Sequence, residues 1–335
     1  MEIVSRPHVK NFIEWSRDKP EVLVLTADLT NSCEVGSWRE VYPGRFFALG
    51  MAEQNMLGFA AGLAREGFEP FIHTFSVFIY RRAYDQLAMS IAYPNLPVRM
   101  LGFLPGIVTP GGVTHQAIED IAVLRATPNM TIFDTGDATE VESVLDVAHA
   151  VDGPVYVRML RGDMPRLFPQ KEPMVFNRAR VLSQGDDVSI LTSSVATEAA
   201  LRALSVLKAK GVSVTHLHVS TLKPFSDPTV LEAITRSRCG VITMENHSTI
   251  GGLGSAVAEL MAENAVAKPL LRLGLKDTYA HGASMHYLMR EYGLDAGSLV
   301  KAVEKLLGAQ LGIDERMLTA VPVEEIDSSE RVEAL

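Results

Sequence analysis

Glu53 is the one charged residue in Gly50-Met51-Ala52-Glu53-Gln54-Asn55-Met56-Leu57-Gly58-Phe59-Ala60-Ala61-Gly62-Leu63-Ala64. The stretch reads as a helix buried on several sides and closed by Arg65, Glu66 and a C′ glycine at Gly67. A carboxylate in such poorly solvated surroundings suits acid–base work. At a helix entrance it equally suits the positive end of the dipole. Four more polar residues fall at the carboxyl ends of expected strands: Asp28, Ser32, His115 and Arg161. Taken singly, Asp28 and Ser32 are turn formers, His115 a helix cap and Arg161 a surface charge. Taken together with Glu53 they suggest an anionic-substrate site beside a buried acid. Other chemistries find no support. Cys and His show no metal-ligand spacing. There is no dinucleotide fingerprint after a strand and no Walker A loop. Gly162-Asp163-Met164 is not a nucleophile elbow. Gly251-Gly252-Leu253-Gly254 fits a tight strand-to-helix turn better than a phosphate cradle.

Those residues need a scaffold, and the apolar pattern supplies one. Val22–Ala27 is a continuous apolar run, as in a strand buried on both faces. Further strands are expected at Pro70–Thr74, Val98–Phe103, Met130–Phe133 and Pro154–Leu160, with helices at Ile79–Tyr93, from His115 through Arg125, and at Ala138–Ala150. The alternation restarts at Val188–Thr192 and continues through Val212–Val219, Gly240–Met244 and Pro269–Leu273 to helices at Met285–Glu291 and Ala296–Leu307. The fold class is α/β: two consecutive parallel-sheet α/β domains, with ligands expected at the carboxyl ends of the strands. The expected divisions are 1–163, a Pro-rich linker at 164–180, 181–308, and an acidic tail at 309–335. A net charge of -9 argues against nucleic acid as a partner. Cys33 and Cys239 suit a reducing compartment. The N-terminus lacks a signal-type apolar region and no run reaches membrane-spanning length, so a soluble cytoplasmic protein is expected.

Four blocks in order make the chain recognisable: Gly50-Met51-Ala52-Glu53-Gln54-Asn55-Met56; Thr74-Phe75-Ser76-Val77-Phe78 with Arg81-Arg82-Ala83-Tyr84-Asp85-Gln86; Thr114-His115-Gln116 with Glu119-Asp120; and Thr127-Pro128-Asn129-Met130. They resemble the pyrimidine-binding domain of transketolases. Met244-Glu245-Asn246-His247, the Gly251–Val257 run and Lys276-Asp277-Thr278 are similar to the transketolase C-terminal domain. The resemblance covers about residues 5 to 308. It implies that Glu53 contacts N1′ of the aminopyrimidine of thiamine diphosphate, that Phe75 and Phe78 pack around that ring, and that Asp28 and Arg81 lie on the cofactor side. It implies that Arg6, Ser32 and Arg161 bind a sugar phosphate, and that His115 lies near the reacting carbonyl and hydroxyls. Two positions depart from the family pattern. Gly111 stands where an aspartate usually contacts a substrate hydroxyl, and Phe103 roughly where full-length transketolases carry another histidine.

The G-D-G…N signature that holds a divalent cation on the diphosphate is missing; Gly136-Asp137-Ala138 and Gly185-Asp186-Asp187 lack its second glycine. The resemblance therefore implies a split enzyme: thiamine diphosphate shared with an N-terminal subunit that carries G-D-G…N and the Mg²⁺, no metal ligands in this chain, and an α₂β₂ assembly. The expected reaction transfers a two-carbon ketol unit from a ketose phosphate to an aldose. Two other readings remain: the β subunit of a 2-oxo acid dehydrogenase E1 component, and a non-catalytic regulatory subunit. Glu245 and His247 are expected to be structural.

Overall fold

The computed structural model describes residues 2–319. Its first sheet has seven strands in the spatial order Thr221–Lys223, Thr131–Asp134, Val155–Met159, Arg99–Phe103, Glu69–Phe75, Val22–Thr26 and Phe46–Ala48. All pair in parallel except Thr221–Lys223, which runs antiparallel to Thr131–Asp134. The inner strands are buried along their whole length, as mainly apolar strands are when helices cover both faces, and Arg99 and Arg158 are buried with them. The second sheet has the order Leu270–Leu275, Gly240–Ser248, Val188–Thr192, Val214–His218 and Arg180–Ser183, with the last strand antiparallel.

Three features depart from the expected organisation. Thr221–Lys223 lies inside the expected second domain yet completes the first sheet, and the first core continues into Val219, Leu222 and Val230. The two units are therefore interlocked. The expected linker at 164–180 overlaps a strand, Asp163–Arg166, that pairs antiparallel with Glu2–Ser5, with Ser5 opposite Asp163. The expected helix Ile79–Tyr93 is instead a short helix, Ser76–Arg81, followed by a π-helical segment, Gln86–Ala92. Of the expected tail, Glu315–Thr319 is helical with Leu318 buried, and residues 320–335 lie outside the described residues. No helix among the described residues is long and apolar enough to cross a membrane.

Candidate active site

Five neighbouring strands of the first sheet end at one edge, and each delivers candidate residues just beyond its carboxyl end. Phe46–Ala48 leads to Glu53, and Val22–Thr26 to Asp28, Ser32 and Glu34. Glu69–Phe75 ends on Phe75 and leads to Phe78, Arg99–Phe103 leads into the loop carrying His115, and Val155–Met159 leads to Arg161. This is the edge at which parallel α/β sheets collect ligands.

Glu53 is the first residue of helix Glu53–Arg65 and is 3% exposed. Ala52 at the N-cap gives the helix no side-chain cap, so the carboxylate sits among unsatisfied N–H groups at the positive end. Arg82 Nη1 donates to Glu53 Oε1 at 2.7 Å. The same guanidinium lies 3.7 Å over the Phe78 ring. Phe75 and Phe78 stack with centroids 5.8 Å apart. His115 presents its ring against both, at 6.0 and 5.5 Å. Burial, and then the Arg82 charge, lower the His115 pKa. The ring is therefore neutral at neutral pH and keeps one nitrogen able to accept a proton. Thr114 Oγ1 lies 2.8 Å from His115 Nδ1.

The expected anion-binding residues meet in a corner built by the pairing of the N-terminal strand. Because Glu2–Ser5 lies along Asp163–Arg166, the Arg6 amide donates to the Gly162 carbonyl at 3.1 Å. That contact sets Arg6 beside Arg161 across most of the first domain's sequence. Arg161 Nη1 donates to the Ser32 carbonyl at 2.8 Å, and its guanidinium lies 5.9 Å from the Phe75 ring centre. Between the arginines lies Glu34, whose Oε1 accepts from Arg6 Nε at 3.2 Å and from the Gly162 amide at 2.9 Å. Arg6, Asp28 and Glu34 all hold left-handed backbone conformations, with φ of 45°, 61° and 60°. Strained non-glycine residues of this kind persist where surrounding structure over-determines them, commonly at ligand sites. Asp28 is exposed at the same edge.

Arg81 differs from its expected place. It forms a two-point pair with Glu119 at 2.6 and 2.7 Å and donates to the Val113 carbonyl at 3.0 Å. It thus clamps the loop carrying His115, and the guanidinium on Glu53 belongs to Arg82. Arg82 and Glu34 were not singled out by the sequence reading. An Arg pair following an aromatic pair was the one available signal for Arg82, and Glu34 gave none. Phe103 is fully buried against His73 and His8, so this position presents nothing to the site.

The second half of the chain closes the loop from behind. Gln116 Nε2 donates to the His281 carbonyl at 3.2 Å, and Asn246 Oδ1 accepts from the Ile107 amide at 2.9 Å. A Cβ built on Gly111 would lie 3.0 Å from His115 Cβ and Cγ, closer than ordinary contact. Restoring the carboxylate usual at this position must therefore displace His115. Gly111→Asp is expected to lower kcat/KM by about tenfold to a hundredfold at nearly unchanged thermal stability, since small misplacements of reacting groups carry costs of that order. Activity within twofold of wild type would show that the His115 position does not matter. The Gly251–Gly254 turn is not a phosphate cradle. Glu245 is fully buried and accepts from the Leu253 and Gly254 amides, filling the helix N-terminus with an internal carboxylate. Burial pushes Glu245 up to about 7 against those two bonds.

The residues at the Glu53 end fit an aminopyrimidine. They offer two aromatic rings and a buried carboxylate held at Oε1 by Arg82. The fit does not extend to the diphosphate and its cation. The one group of three potential metal ligands among the described residues is Glu21, Glu69 and His149. Glu69 begins its strand, at the opposite edge from Phe75, and its oxygens already pair with Arg99 and His149.

Comparison with known proteins identifies the family and the fold. Residues 10–166 match the transketolase pyrimidine binding domain, and residues 177–299 match the transketolase C-terminal domain. The 6-deoxy-6-sulfo-D-fructose transketolase subunit of Clostridium sp. (strain MSTE9) is 36% identical over 300 residues, covering 89% of this chain and 92% of that protein. The 1-deoxy-D-xylulose-5-phosphate synthase 1 of Geobacter sulfurreducens is 33% identical over 301 residues, but the chain spans only 47% of its length. A solved split gene transketolase, described as an inactive beta4 tetramer, superposes with a TM-score of 0.81 at 36% identity, covering 90% of this chain and 97% of that one. A Pichia stipitis transketolase at 18% identity shares the fold, with a TM-score of 0.76 over 46% of its length. With both domains matched in order and relatives this similar along nearly its whole described length, the chain belongs to the transketolase family.

Proposed function

We propose that this chain is the C-terminal subunit of a two-subunit transketolase, transferring a two-carbon ketol unit from an anionic ketose to an aldose in the cytoplasm. The observation that carries this reading is Glu53, buried at a helix N-terminus beside Phe75, Phe78 and His115. Thiamine diphosphate, when bound, supplies the nucleophilic carbon and the electron sink. Glu53 holds a proton shared with the pyrimidine ring, and Phe75 and Phe78 flank that ring. Neutral His115 exchanges protons with the substrate's oxygen atoms. Arg6, Ser32 and Arg161 hold the substrate's terminal anion, and Asp28 lies on the cofactor side. The diphosphate and Mg²⁺ fall to a partner subunit carrying G-D-G…N, because among the described residues no group of three potential metal ligands lies at this edge. An α₂β₂ assembly follows. The split gene transketolase and the Clostridium transketolase subunit support the division into two chains.

A second reading is decarboxylation of a 2-oxo acid, as expected of an E1 β subunit; the Geobacter 1-deoxy-D-xylulose-5-phosphate synthase is a relative with a reaction name other than transketolase. Steady-state kinetics of the reconstituted pair separates the two. Parallel initial-rate lines for ketose against aldose, with no CO₂ released from pyruvate, are expected. Release of CO₂ at a matching rate, or full activity of this chain by itself, would overturn the ketol-transfer reading or the two-subunit reading respectively.

A further inference from the structure

Glu34 belongs to no role assigned above, yet it occupies the centre of the anion corner. Its side chain is 2% exposed. Both of its hydrogen bonds, from Arg6 Nε and from the Gly162 amide, arrive at Oε1. Its Oε2 is buried and has no hydrogen-bond partner among the described residues. An unpaired carboxylate oxygen held out of water is costly, and cores ordinarily avoid it. It is tolerated where neighbouring cations, or an incoming ligand, compensate the charge. Here burial raises the Glu34 pKa, and the Gly162 amide, Arg6 and Arg161 act against that shift in favour of the carboxylate. The Arg6 side chain is itself half exposed, so its two terminal nitrogens remain available on the solvent side of the carboxylate.

Charge arithmetic then defines what the corner takes. Two guanidiniums and one carboxylate sum to a single positive charge. A ligand with one negative charge neutralises the set, whereas a dianion leaves an uncompensated negative charge against a buried carboxylate. We propose that Glu34 is a specificity-determining residue that tunes this corner to a terminal group of single negative charge, of the sulfonate or sulfate-ester class, over a phosphate dianion. The inference rests on the reading of the corner as the substrate's anion site. Glu34 acts by repulsion, the means by which binding sites reject near-isosteric ligands.

The test uses two ligands of matched shape, D-fructose 6-sulfate and D-fructose 6-phosphate, at about pH 8, where phosphate monoesters are dianionic. Their affinities are measured by calorimetry on the full chain assembled with its partner. The wild type is expected to bind the sulfate ester about tenfold more tightly. In Glu34→Gln the amide oxygen can still accept from Arg6 and Gly162 while the charge is gone. This variant is expected to gain affinity for the phosphate ester alone, reversing the preference. A purely structural Glu34 would weaken both ligands equally on substitution, and that result overturns the proposal. A wild-type preference for the phosphate ester overturns it too, without recourse to any variant. Binding of neither ester by an assembly that turns over other ketoses would instead remove the anion-site assignment, leaving the ketol-transfer reading standing.

Discussion

Replacing Glu53 by glutamine is expected to lower turnover of the assembled enzyme by about two to four orders of magnitude, the range general acid–base groups contribute. Glutamine keeps the length and one acceptor oxygen, so the Arg82 contact at 2.7 Å has a neutral substitute. Arg82 is nearly half exposed, and water can take over its solvation. Stability should therefore change little, because loss of an ion pair with one exposed partner costs about 1 kcal/mol or less. What glutamine cannot do is take up and return a proton. The diagnostic result is thus a collapse in kcat with an unchanged melting temperature and unchanged assembly with the partner. If the glutamine variant turns over near the wild-type rate, Glu53 merely complements the helix dipole.

The second large effect falls on stability rather than turnover. Arg158, on strand Val155–Met159, is fully buried. Its Nε donates to Asp120 at 2.9 Å and its Nη1 to Asp134 at 3.0 Å, with both carboxylates fully buried. Tyr156 Oη donates to Asp120 at 2.7 Å. Arg158 Nη2 reaches the Ala117 and Asn246 carbonyls, tying the active-site loop and the second sheet to the first. Burial raises the Asp134 pKa even with Arg158 beside it. Arg158→Met would leave two carboxylates without their cation in the interior. Breaking a buried ion pair by removing one partner costs about 3–5 kcal/mol. The urea midpoint of Arg158→Met should fall accordingly, and the loop carrying His115 should become more susceptible to proteolysis. A loss below about 1 kcal/mol would mean that the network is dispensable, contrary to its complete burial.

Much of the fold was legible because its strands are buried on both faces. Mainly apolar segments such as Val22–Thr26 and Val188–Thr192, buried at every residue, announce themselves without any alignment. The helices Met285–Glu291 and Ala296–Leu307 follow from amphipathic spacing with Ser284 and Asp295 capping them, and their bounds coincide with expectation. Short edge elements were not legible. Glu2–Ser5 and Thr221–Lys223 carry little apolar pattern, and each exists because a distant partner strand offers it hydrogen bonds.

Chain order places Glu53, His115 and Arg161 after strands whose carboxyl ends face the same edge, whereas Phe75 and Phe78 were singled out only through the family resemblance. Which arginine serves Glu53 was not so fixed. Arg81 and Arg82 are adjacent, and successive residues on a helix point about 100° apart, so only the packing of Ser76–Arg81 could assign Arg82 to Glu53 and Arg81 to Glu119. Glu34 is the sharper case. In the sequence it is one acid among forty. It joins the corner proposed to bind the substrate's anion only when strand pairing brings Gly162 and Arg6 to it from opposite ends of the domain. Local pattern thus determined where the strands end and which residue types gather there. The net charge those residues present to a ligand was decided by long-range pairing, because electrostatic sums depend on distances that no spacing along the chain encodes.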